Sequence, residues 1–156
     1  MASIYPADVN TAIVTTLAAA LPDAFNQVQD LPDLTEGMNA APVIQVYPDT
    51  GNDAHNSNTG KRTFGNAGAG PVVSRQWTFN IDIYAKQRAS IGTDIQLSIR
   101  LLGDVMQALD AAQAAGAPYF GLEGIQSWTY RWERVTFEYA TARYAGVRII
   151  VTINIF

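Results

Sequence analysis

Two stretches of strict alternation limit the folds open to this chain. Residues 77–83 and residues 147–155 each place an apolar side chain at every second position. A period of two puts all of these side chains on one face of a β-strand. The sequence therefore predicts a sheet with one face buried against a second layer. The apolar positions are Trp77, Phe79, Ile81 and Ile83, then Val147, Ile149, Val151, Ile153 and Ile155.

Two helices are predicted to form that second layer. The first begins at Pro6 and ends before Pro22, as proline favours the first turn of a helix and cannot continue one. The second begins with a capping box from Thr93 to Gln96 and ends before Gly116. The stripes expected to face the sheet are Val9, Ile13, Leu17 and Leu21 in the first helix and Ile95, Ile99, Leu102, Met106 and Leu109 in the second.

Two further strands complete the predicted fold. Residues 42–48 form an apolar run closed by proline at both ends. In residues 127–139 the aromatic positions change phase, which predicts a bulge near Glu133 and Arg134. We expect a single α+β domain over residues 1–156, with a mainly antiparallel four-stranded sheet and two helices on one face. Its element order is helix, strand, long loop, strand, helix, strand, strand.

The long loop covers residues 49–70 and is the least usual feature of the chain. Its Asn, Ser, Thr, Gly and Ala content predicts flexibility, and its length exceeds what compact domains normally carry without a function. Lys61, Arg62 and Phe64 combine two cations with an aromatic anchor. We therefore predict that these three residues form an assembly interface that becomes ordered against a partner.

The same loop contains fragments of catalytic motifs. Asp49-Thr50-Gly51 matches the aspartic-protease triplet, but no second copy exists to share the proton, so a turn entered through Pro48 is the preferred interpretation. Asp49, Asp53 and His55 could share a metal ion, yet their spacing fits neither helix nor strand periodicity. Gly60-Lys61-Arg62-Thr63 lacks the first glycine and the following helix of a phosphate loop. We predict no catalytic, metal or cofactor site.

Charged and aromatic residues of the last two strands have simpler interpretations. Arg131, Glu133 and Arg134 are expected to form cross-strand ion pairs. The aromatic group Trp128, Tyr130 and Trp132 is expected to pack in the core or at an interface rather than to stack on bases or sugars.

Composition excludes several classes of protein. The 156-residue chain has a net charge of −4, which argues against a dedicated nucleic-acid binder. It has no cysteine, and we expect neither a secretory signal nor a membrane span. Only 15% of the residues are charged, against about a quarter in typical domains, and a low surface charge favours association.

In the order of its elements the chain resembles the tail terminator, or tail-completion, proteins of long-tailed bacteriophages. The resemblance lies in "PVIQVYPDT", the long loop, "RQWTFNIDIYAK", "DIQLSIRLLGDVMQALDAA" and the closing "WTYRWERVTFEYATARYAGVRIIVTINIF". It covers nearly the whole chain and rests on patterning, without a signature residue.

The resemblance implies a structural virion protein without enzymatic activity. Members of that family form a ring, generally of six subunits, which stops polymerisation of the tail tube and offers a docking surface to the head or neck. The implied partners are further copies of the chain, the major tail-tube protein and a neck or head-completion protein. DNA would pass through the bore without specific binding, and assembly would take place in the host cytoplasm.

Two alternatives stay open. Another neck, head-tail connector or tail-tube protein is the nearer one. A hydrolase or metal-binding protein that uses Asp49, Asp53 and His55 of the loop is the more distant one.

Overall fold

The computed structural model describes residues 4–34, 41–55, 73–89, 91–139 and 142–155. Helix α1 spans Pro6–Ala20 and helix α2 spans Ile91–Ala114. The strands are β1 Gln27–Gln29, β2 Val43–His55, β3 Val73–Gln87, β4 Ile125–Tyr139 and β5 Ala142–Ile155. Short 3₁₀ turns lie at Leu31–Asp33 and Tyr119–Gly121. Among the described residues, neither helix combines the length and apolar character that a membrane crossing requires.

The five strands form one mixed sheet in the order β1-β2-β3-β5-β4. β1 pairs with β2 in parallel, and every other pair is antiparallel. The α+β class is confirmed, but the prediction of four strands is wrong by one. The three residues of β1, Gln-Val-Gln, are too few to show the alternation from which a strand can be predicted.

One face of the sheet and both helices enclose the main core. The register aligns Ile44, Ile83 and Val147 across three strands, and all three are buried. Against this face α1 buries Val9, Ile13 and Leu17 completely. The alternation in β3 and β5 and the α1 stripe from Val9 to Leu17 are thus confirmed as parts of the core. Leu21, the last predicted position of that stripe, follows the end of the helix and is only partly buried.

The buried stripe of α2 differs from the predicted one. Ile99 is 42% exposed, whereas Asp94 and Ser98 are buried. The Asp94 carboxylate accepts a hydrogen bond from the Ala89 amide at 3.0 Å and pairs with Lys86 Nζ at 3.2 Å. Those contacts pair the buried carboxylate with a cation and a backbone amide. The helix also begins before Thr93, so the predicted capping box lies within its first turn and not at its start.

The predicted bulge near Glu133 and Arg134 is wrong. β4 pairs with β5 without interruption from Ser127 to Tyr139, and its only register shift lies between Ile125 and Ser127. The aromatic phase changes because the first half of β4 packs its apolar residues on the helix-covered face of the sheet, whereas the second half packs them on the opposite face. Trp128 packs in the main core, while a second cluster on the opposite face contains Val43, Tyr84, Phe137 and Tyr144.

β2 is longer than predicted, which moves the start of the inter-strand segment. The strand continues to His55, so the loop does not begin at Asp49. A register shift between Pro48 and Thr50 accommodates the proline, which is tolerated in sheets at bulges. The triplet Asp49-Thr50-Gly51 therefore belongs to a bulged strand, and the prediction of a turn is wrong. Residues 56–72 lie outside the described part of the chain.

Candidate functional site: a groove beside strand β4

The residues singled out from the sequence do not form a described site. Lys61, Arg62 and Phe64 lie outside the described residues, so their role as an assembly interface stays a prediction. Asp53 and His55 occupy β2 positions opposite Arg75 and Val73 of β3. Within the described ranges, no group of three or more His, Cys, Asp or Glu side chains could hold a metal ion.

Strand β4 is the long edge of the sheet. Over its 15 residues it pairs with β5 on one side, and no other described strand pairs with its outer side. Trp132 stands opposite Ile149 in the register, which places it on the face that carries the helices. Its side chain is nevertheless 45% exposed. An exposed edge with a large aromatic residue is a surface on which another chain can add.

Helix α2 covers only the first half of β4. Near the helix C-terminus, Gln113 Nε2 donates to the Trp128 carbonyl at 3.0 Å, and Tyr130 Oη donates to Asp110 Oδ1 at 2.6 Å. Towards the helix N-terminus the two elements separate around a cleft of about 170 Å³. Its lining includes Arg88, Ile91, Asp94, Ile95, Ser98, Arg134 and Thr136.

The two elements that border this cleft carry further exposed apolar residues. Ile99 lies one helical turn beyond Ile95, and Trp132 lies two residues before Arg134 on the same face of β4. We call the whole surface the edge groove and define it by Arg88, Ile91, Ile95, Ile99, Trp132 and Arg134. Ile91 is 63% exposed and Ile99 is 42% exposed, so the groove presents large aliphatic side chains to solvent.

The edge groove is also cationic. Arg88 and Arg134 are both exposed, and neither has a carboxylate partner among the described residues. The neighbouring Asp94 is engaged by Lys86 and the backbone, so it does not neutralise them. Two available guanidinium groups beside apolar side chains suit an acidic and apolar binding partner. The sequence predicted Ile99 as core and gave no indication for Arg88.

The opposite sheet face carries a polar network instead of a groove. The Asp82 carboxylate accepts hydrogen bonds from Tyr47 Oη at 2.6 Å and from Arg148 Nε at 2.8 Å. Arg148 also donates to Asp82 Oδ2 and to the tyrosine oxygen, each at 3.1 Å, and its guanidinium lies 5.8 Å from the Phe137 ring centroid. Asp82 is 1% exposed, whereas Tyr47 and Arg148 are partly exposed, so the network ties β2, β3 and β5 together around one buried carboxylate.

The electrostatics of this network argue for a structural role. Burial, and then the hydrogen bond to Asp82, raise the pKa of Tyr47 to about 12. The hydrogen bonds to Asp82 raise the pKa of Arg148 above its ordinary range despite the opposing effect of burial. A phenol with so high a pKa stays protonated at neutral pH and cannot act there as a general base.

The predicted charge and aromatic clusters of β4 are only partly realised. Arg131 and Glu133 approach to 3.9 Å, but they belong to the same strand and are both exposed, so this pair contributes little. The residue that stands opposite Glu133 on the neighbouring strand is Arg148, which the sequence did not single out. Trp128 is buried and Trp132 exposed, so the aromatic group divides between core and surface.

Comparison with known proteins adds no family. No protein-family model matches the chain, and no curated protein is significantly similar to it. The resemblance to tail terminators stays a prediction from element order.

Proposed function

We propose that the protein is a structural protomer of a bacteriophage tail that acts as a tail terminator. In this role copies of the chain form a ring, generally of six, at the head-proximal end of the tail. The ring caps the tail tube, stops its polymerisation and offers a surface to a neck or head-completion protein. DNA passes through its bore without specific binding, and the protein carries no enzymatic activity.

The edge groove is the observation that supports this proposal. A monomeric protein normally leaves few large apolar side chains exposed in one place, and contiguous exposed apolar surface marks an interaction site. Ile91, Ile99 and Trp132 are 63%, 42% and 45% exposed. Ile91 lines the cleft beside the unpaired sheet edge, and Ile99 and Trp132 belong to the helix and the strand that border it. An assembly of several copies would bury this surface, whereas a hydrolase based on Asp49, Asp53 and His55 would leave it without a role.

A genetic complementation experiment tests the proposal. Lysates from a phage in which only this reading frame is disrupted would be inspected by electron microscopy, with and without supplied wild-type protein. We expect overlong tails of irregular length that lack heads, and normal particles once the protein is supplied. Tails of normal length that fail to join heads would instead indicate a neck connector. The absence of tails would indicate a tube protein, and infectious particles would exclude a structural role.

A pair of variants connects the phenotype to the edge groove. Trp132→Asp places a charge on the exposed aromatic position and should fail to complement. Thr129→Asp introduces the same charge at an exposed position on the other face of the same strand, and should complement. Because both substitutions lie on β4, their comparison separates loss of the groove from a general effect on the strand. Equal complementation by both variants would contradict the role of the groove.

A further inference from the structure

The sheet has a second edge whose chemistry is complementary to that of the edge groove. β1 forms this edge, and the 3₁₀ turn that follows it begins a short exposed segment. We call residues 31–34 the β1 corner. Leu31 and Leu34 are 37% and 36% exposed, and Asp33 between them is exposed without a cationic partner in the described part of the chain. The corner thus presents two apolar side chains and one available carboxylate.

Hydrogen bonds between Asp30 and helix α1 hold the β1 corner in position. Asp30 accepts hydrogen bonds from Asn10 Nδ2 and Thr11 Oγ1 of α1, each at 2.6 Å, and from the Leu31 amide at 2.7 Å. Burial alone would raise the pKa of Asp30, but these hydrogen bonds together lower it below its usual value. The carboxylate therefore stays ionised and anchors the turn at neutral pH. A segment fixed in this way loses little conformational freedom when it docks.

The two surfaces match in both polarity and sign of charge. The edge groove offers exposed isoleucine and tryptophan side chains together with Arg88 and Arg134, and the β1 corner offers exposed leucines together with Asp33. They lie at opposite edges of one sheet, so no copy can bring its own corner to its own groove. Two different patches on one protomer define a head-to-tail interface, and such an interface closes into a ring when the rotation between copies allows it.

We propose that the β1 corner of one copy docks into the edge groove of a second copy. Leu31 and Leu34 pack against the exposed apolar side chains of the groove, and Asp33 pairs with Arg134. This inference rests on the proposed ring and names the contact that builds it. The charges favour a second copy as the occupant. The edge groove is cationic, whereas each copy as a whole has a net charge of −4 and is therefore attracted to it.

Charge reversal tests the contact with the full-length chain. Asp33→Arg and Arg134→Asp each place like charges together in every interface of a homogeneous assembly, so each variant alone should assemble about 100-fold more weakly than the wild type. In an equimolar mixture, the arginine introduced at position 33 of one variant meets the aspartate introduced at position 134 of the other. At the next interface, the unmodified Asp33 of the Arg134→Asp variant meets the unmodified Arg134 of the Asp33→Arg variant. Assembly should therefore return in the mixture, with strict alternation and equal numbers of the two variants.

Native mass spectrometry resolves the composition of these assemblies, and sedimentation velocity gives their abundance. Glu123→Arg and Arg100→Asp are the matched controls, because each makes the same change of charge at an exposed position outside the two surfaces. Both controls should assemble like the wild type. None of the substituted side chains is buried, so we expect all variants to fold. Circular dichroism and thermal unfolding check that they do.

Each other outcome has a distinct meaning. A wild-type chain that stays monomeric at high concentration would overturn both the ring and this contact. Wild-type assembly that neither reversal weakens would overturn the contact and leave the ring standing. Loss of assembly in Arg134→Asp without loss in Asp33→Arg would show that the groove receives a different segment. Failure of the mixture to restore assembly would equally exclude the pairing of Asp33 with Arg134.

Discussion

Replacement of Arg148 by methionine tests whether the polar network stabilises the sheet as its geometry indicates. The substitution removes both charge-assisted hydrogen bonds to Asp82 and leaves a carboxylate that is 2% exposed without its cation. Removing one partner of a buried ion pair typically costs about 3–5 kcal/mol. The Arg148 side chain keeps 31% of its surface exposed, so water can reach part of the vacated space. We therefore expect the lower end, about 3 kcal/mol.

That loss should lower the melting temperature by roughly 6–12 °C, because each kcal/mol corresponds to about 2–4 °C in a domain of this size. Urea unfolding at pH 7, followed by tryptophan fluorescence, measures the free energy directly. Arg143→Met is the matched control, since its pair with Glu138 is more than half exposed on both sides and should contribute less than about 1 kcal/mol. The double variant Arg148→Met with Asp82→Leu should recover most of the stability. Equal losses in Arg148→Met and Arg143→Met would refute this account of the network.

Two further predictions concern packing and alkaline pH. A Cβ atom at Gly146 would collide with the backbone of β3 and approach a Phe137 ring carbon to 2.5 Å, so Gly146→Ala should destabilise the protein by about 1–3 kcal/mol in urea. Gly103→Ala, in the interior of α2 with open space around it, should instead be neutral or stabilising by up to about 1 kcal/mol. The pKa values of Tyr47 and Tyr130 are both raised from 10.0 to about 12, so their contribution is fully present below pH 10 and is lost as the pH rises to 12. Absorbance titration of the phenolates should show that Tyr47→Phe and Tyr130→Phe each remove a group that ionises near pH 12, and Tyr47→Phe should reduce the alkaline loss of stability. Removal of a group that ionises near pH 10 in either variant would contradict this account.

The main core could be predicted from the sequence because its signals are periodic. Every apolar residue of the alternating runs in β3 and β5 is buried, and so is the stripe of α1 up to Leu17. In each case one face of a regular element carries nearly all the apolar residues, so the period alone identifies the inner face.

The edges of the sheet could not be predicted in this way. β1 has three residues, too few for a pattern, and its pairing with β2 depends on contacts between distant parts of the fold. In its actual orientation α2 buries Asp94, which contacts Lys86 and the Ala89 amide, and exposes Ile99, whereas apolar content alone favours burying Ile99. The edge groove arises from that orientation, so it could not be recognised before the fold was known.

The unequal lengths of the two edge strands limit how copies of this protein can join. β1 offers about 10 Å of hydrogen-bonding edge, whereas β4 offers about 50 Å, at roughly 3.3 Å per residue. When β1 of one copy meets β4 of another, only about three residues can pair, so this joint does not extend one long continuous sheet, which is the route by which open strands stack into fibres. Side chains at the corner must form most of such a joint, and the joint can bend. In the proposed ring, a bent joint would let a chain of copies curve back to its first member, and growth would then stop at a fixed number.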